Sequence, residues 1–322
     1  MNNLIFSLNA TLPIFLMMVL GYLLRYIKML GPEFIKNANT LNFKITLPVL
    51  LFMDIGTSDI SSKWDTSYVL FCMASTTIGF FIIWGLTKLF MKEQDMTGAF
   101  VQASFRSSAA VLGVAFIQNM YGNAGMAPLM IIGTVPLFNI YSVIVLTFEA
   151  NGQSMQAGKK DKLKAAIINI GKNPIILSIL AGITFSLLPV KLPYLLNKTL
   201  TNIAVLATPL ALLALGAGFE GRKALKKLKP TITASFIKLI VLPAIFIPVA
   251  CILGFHDEKL VALLIMLASP TTVSCYIMAE SMDNDGVLTS SIIVATTFIG
   301  AFTLTGWIYI LRAMNLISNS AV

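Results

Sequence analysis

Two stretches combine hydroxyl side chains with helix-disturbing residues in apolar surroundings: Leu267-Ala-Ser-Pro-Thr-Thr-Val-Ser274 and Arg106-Ser107-Ser108-Ala-Ala-Val-Leu-Gly113. Ser269 followed by Pro270 is how a helix begins, because the hydroxyl can cap free N–H groups and proline is tolerated at the first helical position. A helix that begins inside a bilayer implies a break, and Thr271 and Thr272 extend its polar lining. In the other stretch Ser107, Ser108 and Gly113 can support a second break. Two half-helices crossing at such breaks would aim N–H groups and positive dipole ends at one cavity, a seat for a carboxylate. The plainer alternative is a kink, with the hydroxyls bonded to carbonyls of the preceding turn.

Charges inside apolar segments are expensive and face a cavity or a partner. Arg106, two residues before the proposed break, suits an anionic substrate, with bonding to freed carbonyls as the structural alternative. Lys238, Asp54 and Glu280 are weaker candidates for ion coupling, and a proton-coupled cycle would use Glu280 or Asp54. Lys44 can snorkel to the interface, and Asp54 can equally sit among headgroups. His256, beside Asp257 and Glu258, reads as a solvated turn, and without a second His or a thiolate cluster no metal ligand set exists. Cys72, Cys251 and Cys275 lie in apolar stretches without CxxC spacing, which argues against a disulfide framework. No His or carboxylate pair stands near the serines to activate a nucleophile, so no enzyme, and no cofactor beyond a coupling H⁺ or Na⁺, is expected.

The elements that must carry these residues follow from composition. The 322 residues are 57% hydrophobic and 11% charged, too few charges to cover a soluble globule. Apolar runs separated by polar interruptions predict ten spans, at about 5–28, 36–57, 66–91, 97–120, 126–149, 172–189, 199–219, 231–254, 259–281 and 286–312. No Lys or Arg precedes Arg25, so the first run reads as a retained helix, not a signal peptide. Alternation of the spans puts fifteen Lys and Arg on one side and five on the other, which predicts both termini outside a plasma membrane. The net charge of +9 is therefore topological, and no basic, aromatic-studded face suggests nucleic acid.

An offset of half the length places Pro13 on Pro174, Gly21 on Gly182, Pro48 on Pro209 and Ser108 on Ser269. With five spans per half, the second half must be inverted: 1–150 forms one repeat, 151–171 a cytoplasmic linker and 172–322 the other. Inverted repeats around a midplane site are a secondary-transporter architecture.

Several segments together resemble the auxin efflux carrier family, which includes plant auxin exporters and bacterial malate and malonate permeases. They are Thr46-Leu-Pro48-Val-Leu-Leu-Phe, Gln102-Ala-Ser-Phe-Arg-Ser-Ser-Ala-Ala-Val-Leu-Gly113, Phe138-Asn139-Ile-Tyr141-Ser, Ala207-Thr-Pro209-Leu-Ala-Leu-Leu-Ala-Leu-Gly216, Lys238-Leu-Ile-Val-Leu-Pro243, Ser269-Pro270-Thr271 and Ala279-Glu280. The resemblance covers nearly the whole chain. It implies an all-α membrane protein of ten helices in a 5+5 inverted repeat with spans 4 and 9 broken and crossed, as in bile-acid symporters and antiporters. It further implies scaffold and transport domains each assembled from both repeats, elevator-type alternating access and a homodimer. Asn139 matches the family's span 5 asparagine and is expected to contact substrate; Ser108 and Ala115 stand where the family usually has Asn and Pro.

The expectation is a secondary transporter of small organic anions, mono- or dicarboxylates such as malate or auxin-like acids, held by Arg106, Ser107, Ser108, Gly113, Asn139, Ser269, Pro270, Thr271 and Thr272 in a lipid bilayer. Its rivals are a sodium- or proton-coupled carrier of the bile-acid or antiporter type and a non-transporting membrane sensor.

Overall fold

The computed structural model describes residues 2–57, 64–109, 117, 120–121, 125–149, 167–168, 171–188 and 192–317. The calls on Gly113 and Ala115, and most of the linker, fall outside them. Among the described residues the fold is all-helical, with no strand.

Helix α1 is Asn2–Tyr26. Helices α2 (Pro32–Leu41) and α3 (Leu47–Gly56) run on through a π turn, Asn42–Thr46. Then come α4 (Thr66–Phe90), α5 (Thr97–Phe105) and α6 (Ala127–Phe148). The second half has α7 (Pro174–Ser186), α8 (Tyr194–Gly218), a short α9 (Gly221–Lys226) and α10 (Leu228–Phe236). A second π turn, Ile237–Val241, leads into α11 (Leu242–Ile252), followed by α12 (Asp257–Ala268), α13 (Ser274–Ser281) and α14 (Gly286–Ala313). Five stretches, Thr66–Phe90, Ala127–Phe148, Tyr194–Gly218, Leu228–Ile252 and Gly286–Ala313, are each long and apolar enough to cross a membrane. Their outer faces carry exposed large apolar side chains such as Ile78, Phe81, Leu86, Val205, Phe298 and Phe302, a surface that suits lipid and not water.

Local chemistry sets the ends. Asp65, Asn173 and Asp285 cap α4, α7 and α14 by accepting from the N–H groups of Tyr68, Ile175 and Leu288 at 3.0, 2.9 and 2.9 Å. Both π turns end two residues before a proline, Pro48 or Pro243. Proline has no N–H to give and its ring collides with the carbonyl four residues earlier, and widening the turn relieves both problems.

Two packing groups result. Helices α1, α3, α7 and α8 pack on one another, while α4, α5, α6 and α10–α14 form the other group, with α1 also lying along α14. A Cβ on Gly21 would strike the Leu213 carbonyl oxygen, and one on Gly216 would strike the Met18 carbonyl, so bare glycines let α1 and α8 touch. Gly182 does the same for α7 against α3, where a Cβ would lie 3.3 Å from the Phe52 carbonyl oxygen. Ion pairs join helix ends: Lys88 with Glu149 at 2.6 Å, Lys259 with Asp65 at 2.5 Å, and Lys227 with Asp285. In each pair the ten-span alternation assigns both partners to one side of the membrane.

Candidate functional site

Helical structure stops at both places where the sequence predicts a break. Helix α5 stops at Phe105, and Arg106 turns to an extended conformation (φ −84°, ψ 137°). Helix α12 stops at Ala268, Ser269 is extended (φ −72°, ψ 156°), and the chain is not helical again until Ser274. The Ser-Pro pair does not begin the second half-helix, contrary to its sequence reading. Ser269 is the residue on which α12 ends, Val273 precedes α13, and the Ser269 hydroxyl is buried with no hydrogen-bond partner among the described residues. Proline stops the incoming helix here because the residue before it is pushed out of the helical region.

The breaks lie against each other and satisfy each other's backbone. The Ser108 N–H donates to the Pro270 carbonyl at 2.9 Å, the Thr271 hydroxyl to the Ala103 carbonyl at 2.7 Å, and the Ser107 hydroxyl to the Met266 carbonyl. The Thr271 N–H donates to the Thr296 hydroxyl of α14 at 3.1 Å. Ser107, Pro270 and Thr271 thus hold the crossing shut, since carbonyls at helix ends otherwise lack partners.

Arg106 is fully enclosed, 3% exposed, and reaches into the second group of helices. Its Nη2 donates to Asn139 Oδ1 at 2.6 Å and Ser274 Oγ at 2.9 Å, and its Nη1 to Met278 Sδ at 2.8 Å and Ser142 Oγ at 3.3 Å. These partners are neutral side chains, not the freed carbonyls that the structural alternative required. Among the described residues no carboxylate lies within ion-pairing distance of it. Asn139 is itself tied down, its Nδ2 donating to the Val135 carbonyl at 2.8 Å. Its amide thereby fixes the Arg106 guanidinium, and Asn139 also lines the cavity described next. Ser142 and Ser274, which also hold Arg106, were not among the sequence candidates; Ser142 is one turn from Asn139 on the same helix face, the spacing that could have found it.

A cavity of about 80 Å³ lies between the two packing groups. Arg106, Ser107, Ser108, Asn139, Thr272 and Ser274 line one wall, and Asp54, Ala207, Thr208 and Ala211 the other. Asp54, which the sequence allowed among headgroups, faces this cavity. Glu280 does not: it stands in a separate cavity of about 730 Å³ with Arg25, Lys36, Tyr276 and Glu220. Lys238 is completely buried behind the crossing. No group of His, Cys, Asp and Glu among the described residues could hold a metal ion, and all three cysteines are free.

A family model described as membrane transport protein matches residues 6–308. The chain belongs to that family, the auxin efflux carriers. It is similar to the "Uncharacterized transporter YfdV" of Escherichia coli (strain K12), 24% identical over 314 residues, covering 96% of this chain and 99% of that one. It is also similar to a "Putative malonate transporter" of Rhizobium meliloti (strain 1021), 26% identical over 323 residues, with 95% and 96% covered. An "Uncharacterized transporter" of Methanothermobacter thermautotrophicus is 21% identical over 308 residues, with 95% and 98% covered. This auxin efflux carrier family member is therefore a multi-pass membrane transport protein.

Proposed function

We propose that the protein is a secondary transporter of small carboxylates, bound in the cavity at the crossing and moved by alternating access. The observation that carries this reading is Arg106: a buried guanidinium at the cavity wall, held by neutral partners and, among the described residues, without a carboxylate in ion-pairing distance. A buried charge without a counter-ion is costly, and a substrate anion supplies one. The N-terminal end of α13, with Thr272 and Ser274 at the cavity, adds N–H groups and a favourable dipole. The small cavity suits a short mono- or dicarboxylate better than an aromatic acid, and one relative carries malonate in its name.

In this reading α1, α3, α7 and α8 form a scaffold against which the other helices move as an elevator, the cavity lying at the sliding boundary. Each of these groups draws helices from both halves of the chain. Gly21 and Gly182, mates in the proposed repeat, make matching contacts: α1 on α8 and α7 on α3. That reciprocity supports a ten-span inverted repeat. Asp54, which lines the cavity from the scaffold side, is the candidate carrier of a coupling proton in this reading.

Thermal stability of the detergent-solubilised protein against malonate, malate, acetate and indole-3-acetate tests the reading. A ligand that binds only the folded state raises Tm saturably. Malonate or malate should do so in the wild type and not in Arg106→Gln. A panel without any carboxylate response would remove the proposal.

A further inference from the structure

The Lys238 ammonium sits where the two broken helices end. Its Nζ donates to the Leu267 carbonyl at 2.9 Å, to the Phe105 carbonyl at 3.2 Å and to the Ser107 hydroxyl oxygen. Phe105 is the last residue of α5 and Leu267 lies in the last turn of α12, so both carbonyls belong to helix C-termini, which carry partial negative charge. The Ser107 proton is already given to the Met266 carbonyl, so its oxygen can only accept from Lys238. Three acceptors match the three N–H bonds of an ammonium, whereas a neutral amine would aim a lone pair at one of these oxygens. Lys238 is 0% exposed, and no carboxylate among the described residues pairs with it.

Hydroxyl and carbonyl oxygens at the unwound ends of two half-helices are the ligand set with which transporters of crossed-helix type coordinate a coupling cation. We infer that Lys238 is a tethered resident cation at the crossing, taking the place of a bound alkali ion and making the carrier independent of Na⁺. The positive charge neutralises both helix C-termini in every state of the cycle. Arg106, one residue beyond Phe105, then stays available for the substrate anion. The inference rests on the transporter reading for its meaning in the cycle, while the cation chemistry stands on the geometry alone.

The test is a cation titration of purified protein, following Tm in NaCl, LiCl and choline chloride at equal ionic strength, with malonate uptake into proteoliposomes recorded alongside. Wild type and Lys238→Arg should show the same Tm in Na⁺ and choline. Lys238→Ala should lose stability in choline and regain it saturably with Na⁺ or Li⁺, which can enter the emptied carbonyl cage. A saturable Na⁺-specific rise in the wild type would overturn the inference, and so would a Lys238→Ala protein as stable as wild type and indifferent to every cation. If the alanine variant does not fold, the wild-type titration and the arginine variant decide. Absence of malonate uptake in the wild type would count against the carboxylate reading and leave the titration to judge Lys238.

Discussion

Arg106 is held by four neutral side chains, which orient its charge without cancelling it, and no carboxylate among the described residues pairs with it. Removing one partner of a buried, charge-assisted contact costs about 2–5 kcal/mol, so Arg106→Gln should weaken carboxylate binding by roughly thirtyfold or more, read as a lost thermal shift. Arg106→Lys should not restore it, because a point ammonium cannot reproduce the fork whose Nη2 serves Asn139 and Ser274 while its Nη1 serves Ser142 and Met278. Asn139→Ala should lower affinity while leaving the helix intact, since it removes the acceptor that aims the guanidinium and takes from the Val135 carbonyl only a side-chain donor. Ser107→Ala acts on folding: it leaves the Met266 carbonyl without its donor and deprives Lys238 of an acceptor, a loss of about 1–3 kcal/mol per unsatisfied group, visible as a lower Tm without ligand.

At the scale of elements, the crossing depends on helices that stop where they do and on ties that hold their far ends. Asp65 caps α4 and pairs with Lys259 at the start of α12. The Lys259 hydrogen bond, followed by the Tyr68 N–H, holds the Asp65 carboxyl below the usual carboxylate range. A depressed carboxylate stabilises the fold above its unfolded pKa of about 3.9, and that stability is lost as pH falls through the lower folded value. Thermal melts from pH 7 down to pH 3 should therefore show an acid-side loss that Asp65→Asn reduces. An unchanged acid limb in that variant would assign the loss elsewhere.

Much of the element layout is legible in the sequence because apolar runs and cap residues act locally. Thr66–Phe90, Ala127–Phe148 and Gly286–Ala313 fall within a residue of their expected spans. The breaks were readable from Ser107-Ser108 and Ser269-Pro270, yet the role of Ser269 was not. Whether a Ser-Pro pair ends one helix or begins the next depends on which backbone groups the other break supplies, a tertiary fact. The position of Lys238 was equally invisible, since it is set by a π turn that brings span 8 against two helix ends. Glu280 looked close to the crossing in sequence, but α13 carries it a full helix length away, to a different cavity.

For the whole molecule, the cavity lies on the boundary between two helix groups, so substrate bound there touches both. In the proposed cycle, relative movement of the groups exposes it to alternate sides. In a protein with Cys72, Cys251 and Cys275 replaced, a cysteine at Thr272 should react with an impermeant thiol reagent from one side at a time, and malonate should change the rate. Close packing at Gly21 and Gly216 makes α1 and α8 one body. Gly216→Val should therefore destabilise the protein more than a similar change at Gly306, which has open space around it. The central claim, that Arg106 in this cavity binds a small carboxylate that is then carried across the bilayer, is tested most directly by counterflow. Proteoliposomes loaded with unlabelled malonate should accumulate external radiolabelled malonate transiently, and Arg106→Gln proteoliposomes with the same protein content should not. Saturable malonate binding without counterflow in the wild type, or undiminished counterflow in Arg106→Gln, would contradict it.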